Sequence, residues 1–317
     1  MKSSSIVLDA WDISKSYNGT SVLDGVSLEI RSNDFYVLMG PNGSGKSTLL
    51  SILAGTNSFS AGSVRILDSD IHQDRLKARA HIGYVPQETF CSDFLTGREN
   101  LEYFAGLLGL SRSQASGKIE RLLQMMDLSD EADRRVGEYS GGMKKKLDVA
   151  TALLGDARIL FLDEPTTGLD PSVRKDFLNL LHKINKQGTA VLLVTHIGED
   201  AEMASRVGFM IQGDIVVEGS PEELKGLSGL MSTIVIDAEP RTNELMLLLA
   251  SLSGDCVVIE KEGLFEMICE EPRRMVAKVV STLQSEGYDM HRVETRPPSL
   301  EDVFYRLTDS PVRGEVH

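Results

Sequence analysis

Short apolar runs bounded by turn residues dominate the first two thirds of the chain. Ile6–Tyr17 and Ser21–Ile30 read as strands, and Asn18-Gly19 between them is a hairpin turn. Tyr36–Met39, Ser63–Leu67, His81–Gln87, Arg158–Pro165 and Thr189–Thr195 are further strand-like runs. Val207–Ile211 and Ile215–Glu218, split by Gln212-Gly213-Asp214, close as a hairpin. Helical spacing appears at Thr48–Leu53 and again over Thr96–Met126. There Leu101, Phe104, Leu107 and Leu108 share one face, and Ile119, Leu122, Leu123 and Met126 share another. The helical stretch has no sustained heptads, so no coiled-coil arm is expected. A further helix follows Ser140, with Leu147, Ala150, Leu153 and Leu154 in phase. Strands alternating with helices predict an α/β fold.

From about residue 232 the order changes. Thr233–Asp237 reads as strand, Thr242–Leu252 as helix, Cys256–Glu260 and Leu264–Cys269 as strands, Arg273–Glu286 as helix and His291–Thr295 as strand. This β-α-β-β-α-β order resembles a ferredoxin-like split βαβ domain of α+β class, with Gly254 and Gly263 at turns. Arg296-Pro297-Pro298 then leads into a last helix, Leu300–Leu307.

Composition narrows the partners. The chain has 317 residues, 41% of them hydrophobic, enough for one large domain and a small one. Lys and Arg number 33 against 47 Asp and Glu, a net charge of −14, which argues against broad nucleic-acid binding. Cys91, Cys256 and Cys269 show no CxxC spacing and read as reduced thiols of a cytosolic protein, not as a metal site. No stretch approaches the about 18–20 apolar residues of a membrane span, so a membrane role would fall to a partner.

The chemistry begins where Tyr36–Met39 runs into Gly40-Pro41-Asn42-Gly43-Ser44-Gly45-Lys46-Ser47-Thr48. Strand, glycine-rich loop and helix make a P-loop, the cradle of a nucleoside triphosphate. Glycines let successive N–H groups converge on phosphate, and the helix start presents its positive dipole end to the same anion. Lys46 is placed for the β/γ phosphates and Ser47 for Mg²⁺. Asp163, at the end of an apolar run, matches the acid that holds Mg²⁺. Glu164 points the other way by strand alternation and faces an attacking water.

Other candidates stay open on residues alone. Gln87, past a strand end, is either a contact for metal or water or a solvated loop residue. Tyr17 either stacks on an adenine face or is an ordinary strand tyrosine, while Trp11 is expected to pack in the sheet. His196 either contacts a γ-phosphate or is incidental. Ser140-Gly141-Gly142 is either a second N–H nest at a helix start or a plain capped helix, and Lys144–Lys146 reads as a solvated face.

In this order the motifs resemble the nucleotide-binding subunit of an ABC transporter over about Ile6–Leu224. Gly40–Ser47 matches Walker A, Gln87 the Q-loop, and Ser140-Gly141-Gly142 the core of the signature. Ile159–Asp163 with Glu164 matches Walker B, Gly168-Leu169-Asp170 the D-loop, and His196 the H-loop. Tyr139 and Met143 stand where the broad pattern has Leu and Gln. Gly-Gly-Met-Lys, together with Pro298–Phe304, resembles the type-2 drug, lipid and polysaccharide exporter subfamily. The resemblance implies a P-loop NTPase cassette over residues 1–228 with a helical insertion at about 93–147. An accessory domain over 232–295 and a helix and tail over 298–317 would follow.

It also implies ATP and Mg²⁺ as cofactors, with Ser47, Gln87 and Asp163 at the metal and Glu164 and His196 catalytic. Two cassettes, expected to be identical, would sandwich ATP, each Walker A facing the other's Ser140–Gly142. An integral-membrane permease would hold the assembly on the inner face of the cell membrane and export the cargo. The alternatives are a soluble, non-transport ABC ATPase and a ligand-sensing regulator built on the tail domain.

Overall fold

The computed structural model describes residues 5–227, 232–253, 257–261, 263–269 and 272–309. It divides into two compact units, Met1–Pro221 and Glu222–His317.

The larger unit opens with β1 (Ile6–Tyr17) and β2 (Thr20–Arg31), then β3 (Phe35–Met39) and α1 (Lys46–Leu53). There follow β4 (Ala61–Ile66), β5 (Ser69–Asp70), α2 (Arg75–Ala80) and β6 (Ile82–Val85). The helical insertion consists of α3 (Gly97–Leu107), α4 (Arg112–Met125) and α5 (Gly141–Ala152). The chain returns through β7 (Ile159–Asp163), α6 (Pro171–Lys186), β8 (Ala190–Thr195) and α7 (Gly198–Ala201). It closes with the hairpin β9 (Arg206–Ile211) and β10 (Asp214–Gly219).

A six-stranded sheet, ordered β10-β9-β3-β8-β7-β6, is parallel except at its β10 edge. An antiparallel sheet, β2-β1-β4-β5, packs into the same core. Tyr36, Leu38, Phe161, Leu192 and Val194 share that core with Leu49, Leu50, Ile52 and Leu53 of α1. The alternate strand residues Phe35, Val37, Leu160, Leu162, Val191 and Leu193 are equally buried, so the central strands are covered on both faces. Each such Leu or Val contributes about 1.5–3 kcal/mol by leaving water.

The predicted stretch 96–126 is two helices, broken at Leu108-Gly109-Leu110, where Gly109 takes φ 74°. Each starts with a capping box, Thr96 with Glu99 and Ser111 with Gln114. The helix after the P-loop begins at Lys46, two residues earlier than predicted, which places Lys46 and Ser47 in its first turn. Trp11 lies in β1 opposite Ser63, but its side chain is 68% exposed and not packed as expected. The antiparallel sheet buries Leu8, Ala10 and Ile13 and leaves position 11 on its outer face.

The boundary falls at the first residue of α8 (Pro221–Leu227), and the smaller unit then holds β11 (Ser232–Glu239), α9 (Asn243–Ser253), β12 (Val257–Lys261), β13 (Leu264–Cys269), α10 (Pro272–Ser285), β14 (Asp289–Arg296) and α11 (Leu300–Asp309). The predicted β-α-β-β-α-β order is present, in an antiparallel sheet ordered β12-β13-β11-β14. Ile234, Ile236 and Ala238 form a core with Leu245, Leu249, Phe265, Val279 and Leu283. Gly254 and Cys256 lie outside the described residues. Cys91 is buried and free.

Candidate active site

At the carboxyl ends of β3, β7 and β8 the chain leaves the sheet in three loops, where α/β folds hold their ligands. The loop after β3 is shaped by close approach. A Cβ on Gly40 would collide with the Met210 carbonyl oxygen, and one on Gly45, at φ 104°, would lie 2.9 Å from the Val22 carbonyl oxygen. Gly43, at φ 80°, has open space on that side. Lys46 folds back into the loop, where Nζ donates to the carbonyls of Gly40 at 2.9 Å and Pro41 at 2.8 Å. Burial lowers its pKa, opposed by the Glu164 and Asp163 carboxylates.

Val22, Asn42, Gly43, Gly45, Lys46, Ser47, Thr48, Gln87 and Glu164 line an open cleft of about 370 Å³. Ser47 Oγ donates to Asp163 Oδ1 at 2.9 Å. Burial raises the Asp163 carboxyl above its usual range, against the lowering effect of the Ser47 bond and the Lys46 and Lys145 cations. Glu164 lies just past β7 with φ 46°, a left-handed backbone that few residues other than glycine adopt. A turn of the main chain, not the pleat alternation predicted from sequence, therefore sets its direction. Its carboxylate lies 3.2 Å from His196 Nδ1 and accepts from Gln87 Nε2 and Thr167 Oγ1, both at 3.4 Å.

Tyr17 stands at the end of β1, half exposed. Its hydroxyl accepts from Asn57 Nδ2 at 2.6 Å, and Lys15 Nζ sits 4.9 Å from the ring centroid. Asn57 also reaches Ser51 of α1, joining the tyrosine to the P-loop helix.

Ser140 caps α5 by accepting from the Met143 N–H at 3.3 Å. Gly142 is buried against α6; a Cβ there would meet Val173 Cγ1 at 2.5 Å. Asp170 is the residue before α6. The structure thus gathers the P-loop, Gln87, Asp163, Glu164 and His196 at one place. Ser140, Gly141 and Gly142 do not line that cleft.

Two of the three lysines of the basic triplet depart from expectation. Lys144 pairs with Asp93 at 2.7 Å, and Lys145, half-buried, donates to the carbonyls of Pro86 and Gln87. Thr89 Oγ1 donates to the fully buried Asp148 of α5 at 2.9 Å. The loop of Gln87 is therefore moored to α5 by side chains that sequence reasoning passes over. Their one legible signal is a charge at an apolar-periodic helix position, as at Asp148.

Residues 23–167 match the model of the family described as ABC transporter. The chain is 36% identical over 299 residues to a daunorubicin resistance ATP-binding protein of Streptomyces coeruleorubidus, covering 93% of this chain and 92% of that one. It is 35% identical over 306 residues to Nod factor export ATP-binding protein I of Rhizobium sp. (strain N33), covering 96% and 98%. Among solved structures it resembles a dimeric ATP-binding cassette in a post-hydrolysis state bound to ADP and Pi, with TM-score 0.61 and 28% identity, covering 67% of this chain and 98% of that one. Likeness along nearly the whole length, joined to a P-loop cleft of this composition, places the chain in the ABC transporter family as an ATP-binding, ATP-hydrolysing subunit of the exporter kind.

Proposed function

We propose that two copies of this chain close around two ATP molecules, and that closure drives export through a separate membrane permease. The observation carrying this reading is the division of the site. The cleft holds one set of groups for a triphosphate, while the second amide nest, Ser140–Gly142, stands at the start of a different helix, α5, and is not among the residues lining that cleft. A second copy supplies the missing half. The solved cassette that this fold resembles is itself dimeric.

In this reading Gly40–Thr48 cradles the phosphates and Tyr17 stacks on the base. The Ser47 hydroxyl and the Asp163 carboxylate, 2.9 Å apart, are hard oxygen donors that fit Mg²⁺. Among the described residues no three-ligand cluster of His, Cys, Asp or Glu exists; Mg²⁺ needs only one or two protein oxygens beside phosphate and water. Bound there, it would neutralise charge developing on the phosphates. Gln87 stands at the edge of the same pocket. Glu164 positions the attacking water and takes its proton, His196 holds Glu164 and the γ-phosphate, and Asp170 faces the partner copy.

No helix among the described residues is long and apolar enough to cross a membrane. Phe94, Tyr103, Leu107 and Leu108, on and beside α3, are exposed apolar side chains suited to a permease contact. That contact would hold the subunit at the inner membrane face. The smaller unit, with no catalytic grouping among its described residues, acts as a stabilising or dimerising accessory domain. The long-range likeness to export subunits leaves a soluble ATPase or a ligand-sensing regulator without support.

Glu164→Gln tests the assignment. ATP binding is retained, kcat falls about 100-fold or more, and an ATP-bound dimer accumulates in size-exclusion chromatography with light scattering. Near-normal turnover would remove Glu164 from its role. A protein that stays monomeric with ATP and turns over normally with Gly142 substituted would end the two-copy reading.

A further inference from the structure

Glu164 and His196 sit on separate loops that leave neighbouring strands. β7 and β8 pair as far as Asp163 and Val194, and a last backbone bond joins Glu164 N–H to the Val194 carbonyl at 2.9 Å. Beyond it one chain turns through Thr166 and the other through Thr195 and His196. A single carboxylate oxygen spans the two. Asp200 Oδ2 accepts from Thr166 Oγ1 at 2.5 Å and from Thr195 Oγ1 at 2.7 Å. Thr195 Oγ1 also accepts from the Ile197 N–H at 3.0 Å, so its hydroxyl is fixed on both sides of His196. Thr166, Thr195 and Asp200 are all fully buried.

We propose that Asp200 is a positioning residue, a buried clasp that holds the loop of Glu164 against the loop of His196 and so sets their 3.2 Å contact. The proposal rests on the roles given above to Glu164 and His196. A carboxylate out of water is unfavourable unless donors serve it. Here two hydroxyls converge on one oxygen while the other oxygen, Oδ1, has no bond among the described residues. Packing alone would be met by an apolar residue of similar size. Asp200 itself lies in α7, just after His196, so its bond to Thr166 crosses between the loops while its bond to Thr195 fixes the same carboxylate beside His196, a tie that packing alone does not make. A third stretch joins at the adjacent residue. Arg174 of α6, the helix that opens after Asp170, donates to Glu199 at 2.9 Å. Asp200 is fully buried, so it acts through its neighbours.

The test uses the full chain with Thr166→Val, Thr195→Val and Asp200→Ala, the hydroxyl-keeping Thr166→Ser and Thr195→Ser, and His196→Ala alone and combined with Thr195→Val. The valine variants keep shape and carry the test if Asp200→Ala fails to fold. Expected is a kcat lower by about 10- to 100-fold with KM for ATP within about twofold. The serine variants should recover turnover, and the double variant should be no slower than His196→Ala alone. Unchanged kcat in the valine variants beside an inactive His196→Ala overturns the clasp and leaves the reading of His196 standing. So does parallel loss of ATP affinity, kcat and Tm, which marks a role in folding only. Normal turnover in His196→Ala removes the reading beneath the clasp and the clasp with it.

Discussion

The role proposed for Asp163 would set function against stability at the scale of one residue. Burial lifts its carboxyl above the ordinary range, so the folded protein keeps that proton to higher pH than the unfolded chain does. Above the folded value the site carries a buried charge that weakens the fold. As pH falls through that value the proton is taken up and the weakness disappears. Asp163→Asn should therefore raise the Tm of the nucleotide-free protein by about 2–4 °C at pH 8, about 1 kcal/mol for a unit of this size. The gain should shrink as the pH is lowered toward the ordinary carboxylate range, while turnover is lost at every pH. Scanning calorimetry of both proteins across a pH series checks this; a gain independent of pH would show that charge burial is not its source. Glu164 carries a different cost, since its left-handed backbone is strained by about 1–2 kcal/mol and directs the carboxylate to His196 and Gln87.

Among the elements, α5 carries the most on its first turn. Ser140 satisfies an N–H that α5 would otherwise leave open, and Gly142 lets α5 lie against Val173 of α6. Ser140→Ala should lower Tm by about 2–4 °C, the effect of a cap worth about 1 kcal/mol, and should weaken ATP-driven pairing more than it weakens nucleotide binding by the single copy. Light scattering beside fluorescent-nucleotide titration separates the two; equal losses would leave Ser140 as a cap alone.

The same elements show what a sequence makes legible. The apolar run of β7, the glycine spacing of residues 40–45 and the helical period after position 140 are local signals, and each fell where local physics placed it. Other features were set by tertiary contacts. Sequence reading passes over α6, although Pro171 at its start and Phe177, Leu178, Leu181 and Ile184 carry a helix signal. Lys145 reads as solvated because its carbonyl partners lie in the Gln87 loop, about 60 residues away. Asp200 is hidden for the same reason: Thr166, one of its two partners, is 34 residues distant.

At the scale of the whole molecule the chain is two units, each with its own closed core. Each should unfold as its own cooperative transition. The nucleotide cleft lies wholly in the larger unit, so ATP with Mg²⁺ should raise only that unit's Tm. At a hundredfold excess over Kd the stabilisation is about 2.7 kcal/mol. Calorimetry with and without nucleotide checks this; one merged transition that moves as a whole would show the units to be thermodynamically coupled.

Lys46, seated on the carbonyls of Gly40 and Pro41, braces its loop from within. A mould that holds its own outline is shaped before any fuel arrives. On the roles proposed above, telling fresh fuel from spent would then fall to what lies at the last phosphate: Gln87, Glu164, His196 and the face of an opposing copy.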